Sequence, residues 1–373
     1  MRINALGMQT KKDKPAGRPA PADKIKFAVG YQLADPDEES FPDIVRDYRA
    51  AIDEVYFPWS DLPSGRAALT QRRGYTDWSG QQRMEADLRE FRKLGLRLDL
   101  LFNASCYGGR AVSQHLERQV CSLLEHMGDI VNGVDIVTTT SPAVAHVVKK
   151  HFPDIETRAS VNMQIGTVNA MEYAAHLFDS FYVRREFNRD LEHLARLKDW
   201  ADGAGRKLHL LANSGCLDHC PGQIFHDNLV AHEREIDETV NIAGWTPHLC
   251  WNYLRTPEHR HVLLQASWIR PEDLHHYAGL CRTVKLATRM HDKPRLVIHA
   301  YASRKYAGNL LNLFEPGFGP ALAPAILDNQ RFPADWFERT AACGHQCHKC
   351  DYCKKTLRDI TVKPHGNGEL SAR

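Results

Sequence analysis

Near the end of the chain, in AACGHQCHKCDYCKK, four cysteines fall within eleven residues: Cys343, Cys347, Cys350 and Cys353. Thiolates every three or four residues suit ligands wrapping a compact cubane cluster. Zinc ribbons and knuckles usually draw two ligands from each of two separated turns, and C-x3-C-x2-C-x2-C leaves no spacer between pairs. The expectation is a 4Fe-4S cluster, one or two in the chain, with zinc at this quartet as the alternative. His345 and His348 lie inside the knot and read as surface histidines.

A second constellation is GCLDHCP, with Cys216 and Cys220, followed some thirty residues on by Cys250. Gly215 lets the backbone turn sharply and Pro221 stops a helix, so the two thiolates are expected to face one point. Three thiolates are one short of a saturated cluster. The fourth is expected from Cys106 or from a tail cysteine folding back, the plain alternative being three small buried hydrophobes. Cys343, Cys347 and Cys350 also spell the C-x3-C-x2-C of radical-SAM enzymes, but that motif belongs just after a first barrel strand, and here it lies beyond the last.

Polar residues at the ends of the expected strands are the candidates for chemistry: Asn103, Thr139, Asn162, Arg184, Arg185, Glu186, Asn213 and Arg289. A guanidinium offers a planar fork to a carboxylate or phosphate, which singles out Arg185 and Arg289, with Arg185 preferred to Arg184 as the inward member of YVRRE. His219 and His226 follow the thiol pair as possible proton donors. The catalytic set expected is Arg185, Glu186, Asn213, His226 and Arg289. No G-x-S-x-G, H-E-x-x-H, P-loop or G-x-G-x-x-G follows an expected strand, and no nucleophile paired with a base is visible.

The elements that must position these residues repeat eight times. KFAVGY, EVYFPW, RLDLLFN, DIVTTTS, ETRASVN, SFYVRRE, KLHLLAN and TVKLATR read as short strands. Segments with helical spacing separate them, such as GQQRMEADLREFRKLG and RDLEHLARLKDWADGAG. Gly is expected to stop the third and sixth helices, and KPRLVIHAYASRKYAGNLL reads as the closing helix. This alternation predicts an α/β fold, a (βα)8 TIM-type barrel over residues 25–312, with a long loop after strand 7. Residues 1–24 read as a disordered lead-in and 313–373 as a Cys-rich C-terminal tail.

The chain has 373 residues and a net charge of +2, with its Lys and Arg spread out, so no basic field argues for nucleic acid. No apolar run is long enough to span a membrane and no secretory signal is visible, so a cytoplasmic protein is expected. Ten cysteines then point to metal or redox chemistry rather than a disulfide framework.

The run LLANSGCLDHCPGQIFHDNLVAHE, the segment WIRPED and the tail thiols resemble the U32 peptidase-like family, also known as collagenase-like proteases. The resemblance spans roughly residues 25 to 355. It implies a barrel carrying a cysteine-ligated 4Fe-4S cluster, with Cys216, Cys220, Cys250 and one or more tail thiols as ligands. It also implies oxygen-independent hydroxylation of a small-molecule or RNA-borne substrate. A protein partner or a homo-oligomer is compatible with it. The alternatives are a metal-stabilised binding or scaffold protein, and a peptidase as the family name suggests.

Overall fold

The computed structural model describes residues 25–35, 37–59, 62 and 77–363. The expected lead-in lies outside them, as do residues 364–373 of the tail. Eight parallel strands close into a barrel in sequence order: β1 (Lys26–Gly30), β2 (Ile52–Phe57), β3 (Arg97–Phe102), β4 (Ile136–Thr139), β5 (Glu156–Ala159), β6 (Ser180–Tyr182), β7 (Lys207–Leu211) and β8 (Thr283–Leu286). The (βα)8 expectation holds, and every strand lies within its expected segment or within two residues of it. Closure comes from β8 pairing with β1, Lys285 opposite Ala28.

Strand side chains alternate between two environments. Phe27, Val29, Val55, Phe57, Leu98, Leu100, Val137, Phe181, Leu208, Leu210, Val284 and Leu286 belong to the main apolar core, which lies between the barrel and its helices. The opposite parity faces the barrel axis, and it is polar. Glu54, Asp99, Thr138, Arg158, Ser180, Tyr182, His209 and Lys285 are all buried there. Only Ala28, Tyr56 and Leu101 form a small apolar cluster apart from the main core.

The surrounding helices are α1 (Phe41–Asp47), α2 (Trp78–Lys93), α3 (Gln114–Val131), α4 (Pro142–His151), α5 (Val168–Ala174) and α6 (Leu191–Gly203). Side-chain caps set several starts: Ser113 for α3, Ser141 for α4 with Pro142 behind it, Asp190 for α6. Such a cap is worth about 1 kcal/mol. Gly128 does not stop the third helix. It lies inside α3, which runs on to Val131 and ends where Asn132 (φ 63°) and Gly133 (φ 85°) take left-handed backbone. Gly has no steric need to end a helix; a positive φ does.

The loop after β7 carries α7 (Gln223–Ala231), α8 (Glu233–Asp237) and α9 (Leu249–Leu254), then 3-10 turns over Pro257–Leu264 and Pro271–Tyr277. After β8, α10 (Pro294–Ala302) is shorter than the expected closing helix, because Arg304 (φ 56°) and Gly308 (φ 139°) turn the chain. The tail then forms α11 (Gly319–Leu322), β9 (Ile326–Leu327), α12 (Trp336–Ala341), α13 (Tyr352–Ile360) and β10 (Thr361–Val362). The two short strands pair antiparallel.

Aromatic stacking fastens this tail to the β7–β8 insertion. Trp268 stacks on Phe314 at 5.0 Å and on Trp336 at 6.1 Å between ring centroids. The Arg189 guanidinium covers both indoles, 4.4 Å from Trp268 and 5.3 Å from Trp336, and its Nη1 donates to Leu264 O at 3.0 Å. Among the described residues, no helix is long and apolar enough to cross a membrane.

Candidate active site at the barrel mouth

Seven of the ten cysteines lie in two segments beyond the C-terminal ends of the strands, the turn and insertion after β7 and the tail. Immediately after β7, Gly215 passes so close to the tail that a Cβ there would meet Pro316 O at 2.1 Å. Gly215 N donates to Glu315 O at 3.0 Å, so tail and turn are paired through their backbones. Cys216 and Cys220 lie near Cys250 at the start of α9. Burial first, and then these two neighbours, raise the Cys250 thiol above its ordinary value.

The tail quartet forms the second group. Burial raises Cys353 to about 11, with Arg189 opposing and Cys347, Cys343 and Cys350 adding to the rise. Burial raises Cys347 too, with Cys343, Cys350 and, in the turn after β7, Asp218 adding to the rise. Asp218 is itself held by Ser267, whose Oγ donates to Oδ2 at 2.6 Å and whose N donates to Oδ1 at 3.2 Å.

All seven donors are sulfur, and their grouping matches the soft-ligand chemistry of iron–sulfur clusters or zinc. As they stand, no group of three or more His, Cys, Asp or Glu among the described residues surrounds a point where a single metal ion would sit. The fit rests on the donor type and on the mutual nearness of the thiols.

The expected catalytic residues divide among three places. Arg185 is buried beside Cys216, whose charge, with that of Glu186, holds the guanidinium up against the opposing effect of burial; its Nε has no partner. Glu186 pairs with Arg184, Nη2 to Oε1 at 3.1 Å, and accepts from His219 N at 3.4 Å. These two residues support the thiol turn. Arg289 stands elsewhere, near Lys285 and Tyr56. His226 packs edge-on against His248, 4.8 Å between centroids, on the insertion.

Asn213, expected among the catalytic residues, lies just after β7 where the tail meets it. Its amide is committed to the backbone: Oδ1 accepts from Ala287 N at 2.6 Å, and Nδ2 donates to Ala287 O at 3.0 Å and Leu313 O at 2.9 Å. It ties β7, β8 and the tail together. Thr139 is likewise structural, donating to Phe102 O at 2.7 Å and accepting from Ser141 N at 2.9 Å.

Two arrangements escaped the sequence reading. The first is a nucleophile with a base. Cys106, after β3, lies near His232, and this neighbour, followed by Gly108 N donating at 3.3 Å, lowers the thiol's pKa. Cys106 in turn raises His232, whose Nδ1 lies 3.2 Å from Glu235 Oε2. Cys106, expected as a possible fourth cluster ligand, is placed beside His232. The two partners are over a hundred residues apart, so no local spacing announces them.

The second is the charged barrel interior. Arg158 binds Glu54 through two bonds, 2.6 and 3.0 Å, with both side chains fully buried, and reaches Glu156 at 2.8 Å. Arg158 holds the Glu54 carboxyl below its ordinary range against the opposing effect of burial. Asp99 accepts from Thr138 Oγ1 at 2.8 Å through Oδ2; its Oδ1 is buried without a partner, and burial pushes the carboxyl up to about 6. Lys285 Nζ lies 3.9 Å from the Tyr56 ring centroid and 5.2 Å from that of Tyr182. A signal was available: β2, β3, β5, β7 and β8 each carry a charged residue or His at the parity opposite their apolar residues.

The chain is similar to a curated protease sequence and aligns with barrel structures. The chain is 25% identical over 312 residues, 81% of this chain and 86% of the relative, to Uncharacterized protease MJ1657 of Methanocaldococcus jannaschii. Among solved structures, the U32 peptidase Mk0906 aligns with a TM-score of 0.47 at 15% identity, covering 75% of this chain and 95% of that one. A glycoside hydrolase family 5 mannosidase from Rhizomucor miehei aligns with a TM-score of 0.41 at 8% identity, covering 79% and 94%. No family model matches the chain.

Proposed function

We propose that the protein is an iron–sulfur barrel enzyme, acting by oxygen-independent hydroxylation or a related redox modification on a small-molecule or RNA-borne substrate. What supports this reading is that seven thiols lie in the turn after β7, the insertion and the tail joined to that turn, beyond the strand ends where barrel enzymes place their chemistry. Cys343, Cys347, Cys350 and Cys353 would complete one cluster. Cys216, Cys220 and Cys250 would hold a second with three protein ligands, leaving one position for substrate. A cluster of this kind supplies electrons one at a time at a potential set by its surroundings.

The chain's own residues would then position and shield. Buried Arg185 sets a fixed positive charge beside Cys216 and favours an anionic group there. Glu186, braced by Arg184 and His219 N, holds the turn that presents Cys216 and Cys220. The Trp268 and Trp336 stack holds the tail against the insertion.

The test is iron and acid-labile sulfide per chain after anaerobic purification, with the visible spectrum. Two clusters' worth of both is expected, about eight irons. Stoichiometric zinc with negligible iron would overturn the reading. It would leave a metal-stabilised scaffold, in which metal removal unfolds the tail.

One observation favours a second reading, peptidase action. Cys106 lies near His232, which meets Glu235 at 3.2 Å, and the three would serve as nucleophile, base and orienting carboxylate. Hydrolysis of a peptide by iron-free protein, abolished in Cys106→Ser and intact in Cys220→Ser, would establish it. Equal activity in Cys106→Ser would remove it.

A further inference from the structure

Inside the barrel, at the C-terminal end of β8, Lys285 keeps only 7% exposure. The other fully buried cation of the interior, Arg158, is neutralised by Glu54 and Glu156. Lys285 has no such arrangement: among the described residues its Nζ makes no hydrogen bond or ion pair, and lies instead on the faces of Tyr56 and Tyr182. The Tyr56 ring is fixed in place, since its hydroxyl donates to Leu286 O at 2.8 Å and the absence of a Cβ at Gly30 leaves room for it. Removal from water costs a lysine part of its preference for the charged form, which the ring faces offset only in part, and a neutral amine is a nucleophile. Burial brings its pKa down to about 8, with nearby Arg289 and Arg158 adding to the fall and Asp99 opposing it.

We propose that Lys285 is a nucleophilic amine that forms an imine with a small anionic carbonyl compound, a 2-oxo acid, entering from the C-terminal mouth. The amine nitrogen attacks the carbonyl carbon; the carbonyl oxygen takes a proton to give a carbinolamine. Loss of that oxygen as water, with the nitrogen's proton, leaves the C=N bond. No oxidant or reductant is needed. Asp99, whose unpartnered Oδ1 faces the same interior, is suited to carry the protons. Arg289 supplies positive charge beside the amine and selects for an anionic carbonyl compound over a neutral aldehyde.

This site needs none of the cysteines, and so goes beyond the proposed function and stands or falls separately from it. The test uses the full chain, pyruvate and sodium cyanoborohydride near neutral pH, followed by digestion and mass spectrometry. The reduced pyruvate adduct is expected on Lys285 at least about tenfold faster than on exposed lysines such as Lys207, given the difference in neutral fraction. Lys285→Arg keeps the charge and should lose that adduct alone. Modification confined to surface lysines, or Lys285 reacting no faster than they do, overturns the proposal; the wild-type protein decides this even if the variant fails to fold. Metal content does not enter the readout.

Discussion

At the scale of single residues, the barrel interior is governed by compensation. Glu54 and Arg158 are tolerated without water because each satisfies the other. Arg158→Ala would leave the Glu54 carboxylate buried and unpaired and should cost about 3–5 kcal/mol in urea unfolding. Asp99 behaves in the opposite sense. Its folded pKa, about 6, lies above its ordinary value of 3.8, so the stability it contributes is complete below 3.8 and is lost as pH rises through about 6. Asp99→Asn should therefore gain on wild type across that window. Urea midpoints of both proteins between pH 3.5 and 7.5 would check this; parallel curves would show that Asp99 is not the titrating group. The strand sequences already carried this parity, and period-two alternation alone puts Glu54, Asp99, Arg158, His209 and Lys285 opposite the apolar face. What alternation leaves open is which face is inside, because a barrel interior is more often apolar.

At the scale of elements, the join between the turn after β7 and the tail decides the site. Gly215 and Glu315 are a hundred residues apart in sequence, yet their backbones pair, and Asn213 donates to Leu313 O. Gly215→Ala cannot be absorbed by a side-chain rotation, because the obstacle is the backbone carbonyl of Pro316. The tail should lift from the mouth in this variant. Limited proteolysis is expected to cleave near residues 315–320 at least about tenfold faster than in wild type, with the barrel fragment still folded. Unchanged cleavage would mean that the join is not what holds the tail. The strands were legible because each is a short apolar run between turn signals, whereas the ends of α3 and α10 were not. Those ends depend on positive φ at Asn132 and Arg304, which neither residue type requires.

At the scale of the whole molecule, two thiol groups with different connectivity should fail differently. The quartet lies in one short segment beside Tyr352, which stacks on Trp336, so loss of its ligands bears on tail docking. Cys216, Cys220 and Cys250 span the insertion. Replacing Cys347 and Cys350 together by Ser should loosen the tail and remove one cluster's iron, while Cys220→Ser should remove the other's and leave thermal unfolding of the barrel within a few degrees of wild type. Iron per chain and a melting curve for each variant would check this, and equal loss of all iron in both would point to a single shared site. Taken alone, the amino-acid sequence determined the strand count, the barrel and the two thiol constellations. Those are local patterns, set by side-chain periodicity and by spacing along the chain. The tertiary structure alone decided that Cys106 meets His232, that Asn213 is a staple, and that Lys285 faces Tyr56 and Tyr182 across the barrel. Each of these joins residues distant in sequence, and closing the barrel is what makes them neighbours.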